Sequence, residues 1–328
     1  MILLRVAATA ALQPANVVTS AFLDERFGRA PGTTESRSGV ASRAWVADGE
    51  TTSSMGASVL ARALGDAGWE PDSLDALVAA CAVPEQLMPT SSVLIAQRLG
   101  LESLACFDVN ASCLSVLQAL ELLAPHVASG RWRRAAIVAS EVASVGIDHD
   151  DVETSGLFGD GAAALLLEPT PAGEGSALLA CRTLASPSGA RLTEIRGGGT
   201  RYNVTTPPPE ERDYLFRMNG PGVFKHSMRV VPGLIDSLLA EAGLAREDLD
   251  VVIPHQASGL GLRYAKERLG FRPGQVVDVL ADHANQVAAS LPTALHAAVE
   301  SGRLARGGHA LFIGTGAGLV AGGAVLRW

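Results

Sequence analysis

The chain has 328 residues, 48% of them hydrophobic and 18% charged, with a formal net charge of −8. That composition is globular with ample core, and the acidic balance argues against a broad nucleic-acid or membrane-binding surface. Cys81, Cys106, Cys113 and Cys181 are scattered, with no CxxC or Cys/His spacing, which excludes a metal ribbon or disulfide scaffold and points to free thiols in a reducing, cytoplasmic setting.

The opening MILLRVAATAALQPA resembles a signal peptide only faintly, because Arg5 interrupts its apolar run; it reads as a first strand and turn. No apolar run is long enough to predict a membrane span. Short strand-like runs follow: LDALVAAC (74–81), RAAIVAS (134–140), AALLLEP (163–169), LDVVIP (249–254), HALFIG (309–314) and GAVLRW (323–328). Longer stretches of helical apolar spacing lie among them, so the pattern predicts an α/β chain with helices layered on sheets. The linker-like EPTPAGEGS (168–176) is the expected join between an N-terminal part, 1–170, and a C-terminal part, 171–328. Residues 186–217 contain GGG and PPP without a period and read as a lid or loop insertion. Two basic clusters, Arg131, Arg133 and Arg134, then Arg263, Lys266 and Arg268, read as solvated helix ends.

The chain repeats itself. AGWEPDSLDALVAA (67–80) is echoed by AGLAREDLDVVIPH (242–255) at an offset of 175, and SGRWRRAAIVAS (129–140) by SGRLARGGHALFIG (301–314) at an offset of 172. Two echoes in register predict two similar α/β halves. Within DVNASCLSVLQAL (108–120), Cys113 sits at the start of an apolar helical run. There, free N–H groups and the helix dipole favour a thiolate, although a buried, inert thiol is the commoner use of cysteine. The same offsets carry Cys113 onto Asn285 and Ala80 onto His255, so a pseudo-two-fold arrangement would bring Cys113, His255 and Asn285 to one central site.

These residues carry a resemblance. The chain resembles the thiolase-fold ketosynthases of the beta-ketoacyl-(acyl-carrier-protein) synthase III type over nearly its whole length. The resemblance rests on FDVNASCLSVLQAL, GLFGDGAAALLLEP (156–169), MNGPGVFKHSM (218–228), VVIPHQAS (251–258), HANQVAASLPTAL (283–295) and GTGAGLVAGGAVLRW (314–328), in that order. It implies a five-layered αβαβα fold, a homodimer and a two-step reaction. An acyl group moves from a coenzyme A or carrier-protein thioester onto the cysteine; a malonyl-type thioester then loses CO2 and attacks it. The residue types suit that chemistry. Cys113 supplies the nucleophile, and His255 and Asn285 supply hydrogen-bond donors for an enolate oxygen. The backbone N–H of Cys113 and one near Gly316 are the candidate donors for the second oxyanion. No metal or redox cofactor is required.

Further roles follow from the resemblance. Phe158 is a candidate wall of the decarboxylation pocket. Met88, in AVPEQLMPTSS (82–92), belongs to the segment that reaches into the partner's acyl pocket, and Lys225 matches a basic position where an acidic carrier protein docks. Arg37 matches the arginine of the family's coenzyme A site. The tryptophan expected before it is Thr33, and Ser258 and Leu260 replace an asparagine and a basic residue after the histidine. These departures favour a carrier-protein donor or a specialised substrate. The leading expectation is a decarboxylating ketosynthase of fatty-acid or polyketide biosynthesis. The alternatives are an acyltransferase or non-decarboxylating condensing enzyme and, against the intact Cys-His-Asn set, a non-catalytic partner subunit.

Overall fold

The computed structural model describes residues 1–328. The duplication appears as two five-stranded sheets. The first runs, in spatial order, Arg5–Leu12, Gly161–Glu168, Ala135–Glu141, Ala76–Ala79, Ala105–Asp108; the second runs Ile2–Leu3, Ala177–Ala185, Val320–Arg327, His309–Gly316, Val251–Pro254. From Arg5–Leu12 in one and Ala177–Ala185 in the other, successive pairings are antiparallel, antiparallel, parallel in both. The first sheet continues with a parallel pairing to Ala105–Asp108, where the second has a single parallel bridge between Val252 and Val276.

The register repeats as well. Ala79 lies opposite Val138 and Pro254 opposite Ile313, an offset of 175 on both strands. One step further, Ala80 N–H donates to the Val138 carbonyl and His255 N–H to the Ile313 carbonyl, each at 2.8 Å. The Leu-Asp echo has a physical reason. Leu74 and Leu249 are both buried in the core. The Asp75 carboxylate accepts the N–H groups of Arg133 and Arg134, and that of Asp250 accepts the N–H of His309. Each aspartate therefore ties off the start of the neighbouring parallel strand, satisfying donors the ladder leaves open. Ile2–Leu3 pairs with Ala177 and Leu178, so the first residues belong to the second sheet and the expected boundary near 170 does not enclose them.

The helices Ser115–Ala128 and Ser290–Glu300 lie between the two sheets. Leu117, Leu123, Leu291 and Leu295 pack there with Ile137 and Phe312 in the largest core cluster. A helix covered on both sides needs apolar residues around most of its girth, which explains why Ser115–Ala128 buries eight residues. Thr52–Ala67 and Ser91–Arg98 cover the outer face of the first sheet, and Gly220–Ala242 and Gly259–Arg268 that of the second. The long outer helix Gly220–Ala242 buries only one stripe, Val231, Leu234, Ile235, Leu238 and Leu239. The result is the five-layered αβαβα thiolase-like architecture.

Residues 186–217 form an insertion folded onto the body, not a structureless loop. Thr193–Glu194 pairs with Arg217–Met218, and Asp213, 1% exposed, holds Arg196 at 3.1 Å and Arg217 at 3.2 Å. Phe216 N–H donates to the Gly146 carbonyl at 2.9 Å, and its ring meets Phe158 edge-on at 4.8 Å.

Candidate active site

The nucleophile turn is built locally. The Asn110 side-chain oxygen accepts Ser112 N–H, and the Ser115 hydroxyl accepts Ala111 N–H and donates to the Ser112 carbonyl. These bonds hold Ser112 at φ +53°, a left-handed conformation that non-glycine residues adopt at a cost. The turn presents Cys113 just ahead of the helix Ser115–Ala128, whose first flanking residue is Leu114.

The second half closes over this turn through glycines. A Cβ on Gly316 would sit 3.3 Å from the Cys113 nitrogen, so the strand His309–Gly316 approaches the turn at backbone distance. A Cβ on Gly314 would sit 2.7 Å from the His255 Cβ and 3.1 Å from Leu114 Cδ2. Gly314 is therefore the thin wall between His255 and the residue after Cys113. The backbone donors acting on the thiol are those of Cys113 and Ala317. The glycine-rich stretch near Gly316, where the second donor is expected, thus supplies both the close approach, at Gly316, and the Ala317 N–H.

Closure has an electrostatic consequence. Cys113 is only partly accessible, and burial, reinforced by the negative charge of Glu141, pushes its thiol up to about 12. Desolvation thus opposes ionisation of this thiol more strongly than the N–H groups at the helix start favour it. His255 is 7% exposed at the end of Val251–Pro254, and burial pushes its ring down to about 4. The ring is neutral at pH 7, and its Nδ1 has no partner.

Asn285 is held by its oxygen. Its Oδ1 accepts Val287 N–H at 2.9 Å and faces the Ser290 hydroxyl at 3.5 Å, while Nδ2 reaches the Ala257 carbonyl only at 3.5 Å. The amide NH2 is therefore directed toward the His255 loop with donor capacity to spare. Ala284 at φ +59° and Val287 at φ +50° flank it. With Ser112, these make three of the four non-glycine residues at positive φ, so backbone strain gathers at the two turns that carry Cys113 and Asn285. Phe158 pairs with Asn285 through backbone: Asn285 N–H donates to Leu157 O, and Gly159 N–H to Asn285 O. Its ring is buried with Ile147 and Leu157.

A cavity of about 530 Å³ runs from exposed Arg37 and Leu260 to buried His255 and Ile313 and half-buried Gly314, walled by Phe224, Met228 and Tyr264. Lys225 is exposed beside Phe224 on the rim, and neither it nor Arg37 makes an ion pair. Met88 stands apart from the site, 85% exposed. Its neighbour Glu85 is engaged within its own chain. The Glu85 carboxylate accepts Ser53 N–H at 2.6 Å; partial burial is the largest influence and opposes its ionisation, but hydrogen bonds from Ser53 and Thr51 and the Arg98 charge together outweigh it and hold its pKa below the usual carboxylate range. Gln256, which the sequence reading passed over, is fully buried. Its amide donates to the Pro254 and Val277 carbonyls and its oxygen accepts Val279 N–H, which locks the loop after His255. Its position beside the histidine was the available signal, but glutamine has no pattern of its own.

A layered, duplicated fold with cysteine, histidine and asparagine on its inner turns defines a thiolase-fold condensing enzyme. The family model for 3-oxoacyl-[acyl-carrier-protein (ACP)] synthase III matches residues 107–186, and the model for its C-terminal part matches 239–328. A beta-ketoacyl-[acyl-carrier-protein] synthase III from Desulfitobacterium hafniense is 32% identical over 328 residues, covering 100% of this chain and 98% of the relative. The 3-oxoacyl-[acyl-carrier-protein] synthase III of Aquifex aeolicus superposes with a TM-score of 0.89 at 28% identity, over 99% of this chain and 100% of that one. The priming beta-ketosynthase of the R1128 polyketide pathway superposes with a TM-score of 0.90 at 30% identity, over 99% and 96%. The chain belongs to the beta-ketoacyl-(acyl-carrier-protein) synthase III family. It is an acyltransferase-class condensing enzyme of fatty-acid or polyketide biosynthesis. No helix is long and apolar enough to cross a membrane.

Proposed function

We propose that Cys113 takes an acyl group from a thioester and that His255 and Asn285 then activate a malonyl-type extender by decarboxylation. In the first step the Cys113 sulphur attacks the thioester carbonyl, and the departing thiolate takes the proton that the cysteine loses. In the second, CO2 leaves the extender, and the ring N–H of His255 and the Nδ2 of Asn285 hold the enolate oxygen while its carbon attacks the acyl-cysteine. The N–H groups of Cys113 and Ala317 hold the oxyanion of that attack, and Cys113 is released as the thiolate, which takes up a proton from water to restore the thiol. One such donor is worth about 100- to 1000-fold in rate. The reading calls for no cofactor beyond the thioester substrates.

One observation carries this reading. His255 is buried and neutral, and Asn285 is held by its oxygen with its NH2 reaching only the Ala257 carbonyl at 3.5 Å, so both keep donor capacity on the loops that face the cysteine turn across Gly314. An arrangement of donors suits an enolate; pure acyl transfer needs the asparagine amide less.

The same reading takes a carrier protein as a donor of acyl groups. Thr33 offers no aromatic face one helical turn before Arg37, its hydroxyl being turned back to the Ala30 carbonyl at 2.6 Å, while Lys225 and Arg37 are exposed and unpaired for an acidic partner. A homodimer is supported by the unpaired edge of Ala105–Asp108 and by Leu87 and Met88, 80% and 85% exposed, on the adjoining segment. Free cysteines fit a cytoplasmic setting.

The test is intact-protein mass spectrometry after mixing wild type and Cys113→Ala with acyl-coenzyme A and acyl-carrier-protein donors. An acyl adduct on wild type alone is expected, discharged on adding a malonyl donor. No adduct from any donor overturns the reading.

A further inference from the structure

Glu141 ends the strand Ala135–Glu141 and is 0% exposed. No step above uses it. Its Oε1 accepts Ala82 N–H at 2.6 Å and its Oε2 accepts Val83 N–H at 3.3 Å. Ala288 N–H is a third donor to the same carboxyl. Ala82 and Val83 begin the segment that carries Met88; Ala288 lies in the turn Val287–Ala289, whose first N–H holds the Asn285 oxygen. One side chain thus ties together pieces of chain from both halves, all close to Cys113.

The charges around it are of one sign. The titratable groups acting with Glu141 are Cys113, Cys81 and Asp160, with Asp108 also acting on Cys81, and no Lys or Arg pairs with it. All its backbone partners are donors, which suits a carboxylate, yet burial, the largest influence, pushes it up to about 8. A buried acid beside a nucleophilic thiol, with no cation to offset it, opposes thiolate formation whenever it is ionised.

We propose that Glu141 is a positioning residue of the condensing site: its carboxyl pins the Asn285 turn and the root of the 82–90 segment against Cys113, and its charge opposes ionisation of that thiol. The proposal rests on the reading of Cys113 as nucleophile. Bond by bond it adds no chemistry. It holds the enolate donor in place and, once ionised at high pH, opposes loss of the thiol proton.

The test uses the intact protein and two substitutions. Glu141→Gln removes the charge and one acceptor; Glu141→Asp keeps the charge but shortens the reach. Iodoacetamide capture of Cys113 is followed against pH by peptide mass spectrometry, and malonyl decarboxylation is followed by CO2 release. In Glu141→Gln the capture profile moves to lower pH by about one unit, and decarboxylation falls about 10- to 100-fold in kcat with KM little changed. In Glu141→Asp the capture profile stays near wild type while decarboxylation falls. A wild-type capture profile in Glu141→Gln, or wild-type decarboxylation in either variant, overturns the proposal. Acyl loading that survives in Cys113→Ala overturns the nucleophile reading instead, whatever the Glu141 variants do.

Discussion

The two halves present the same frame and opposite chemistry. At the ends of the paired parallel strands, Ala80 N–H meets Val138 O and His255 N–H meets Ile313 O at the same 2.8 Å. Following that register, the first half places Ala80 and Glu141 where the second places His255 and Gly316. The first half thus spends its strand end on a buried acid that gathers backbone amides. The second spends its strand ends on a neutral imidazole and on a bare backbone that closes over the cysteine. Ligands gather beyond the carboxyl ends of such strands, so divergence there changes chemistry without touching the register that holds the sheets. The two turns ahead of the buried helices diverge in the same way, one offering a thiol and the other an amide.

Four substitutions or conditions break or sharpen this comparison. Cys113→Ala removes the nucleophile from the first turn. Acyl loading should fall by about 10⁴-fold or more, read by intact mass. Asn285→Ala removes the donor from the second turn. Decarboxylation should fall about 100- to 1000-fold while acyl loading by mass persists; equal loss of both would show that the turns are not chemically separate. Gly314→Ala places a methyl 2.7 Å from the His255 Cβ. The expected result is roughly a 10- to 100-fold loss in decarboxylation and destabilisation of about 1–3 kcal/mol in urea unfolding.

The smallest expected effect is on stability against pH. Burial pushes His255 down to about 4. The unfolded ring, near pH 6.5, takes its proton first, so the stability contributed by the neutral folded ring is present above that value and is lost as pH falls toward 4. Between pH 7.5 and 4.5 the loss is about 2.5 kcal/mol. Glu141, pushed up to about 8, acts with the opposite sign, its contribution being lost as pH rises from its unfolded value toward 8. The check is therefore the difference in slope between wild type and His255→Asn in urea titrations; identical slopes would remove the buried neutral ring from the comparison.

The duplication was legible because repeated capping needs repeated residues. The Leu-Asp pairs exist because Leu74 and Leu249 fill cores and Asp75 and Asp250 cap strands. The same offsets led from Cys113 to Asn285 and from Ala80 to His255, since a side chain's place on a repeated turn is a local property. The insertion at 186–217 was less legible, because its order depends on Asp213 between two arginines and on Phe216 against Phe158. Such contacts leave no period in the chain.

By itself the sequence determined the α/β class, the two halves and the three residues proposed here as nucleophile and donors, because these follow from hydrophobic period, capping residues and local turns. Tertiary structure alone decided the state of the groups. It laid the glycine strand over Cys113, brought Glu141 beside it and buried His255, so that the surroundings oppose ionisation of the thiol and of the ring. Ionisation depends on what surrounds a group from every side, and most of what surrounds Cys113 comes from residues distant along the chain.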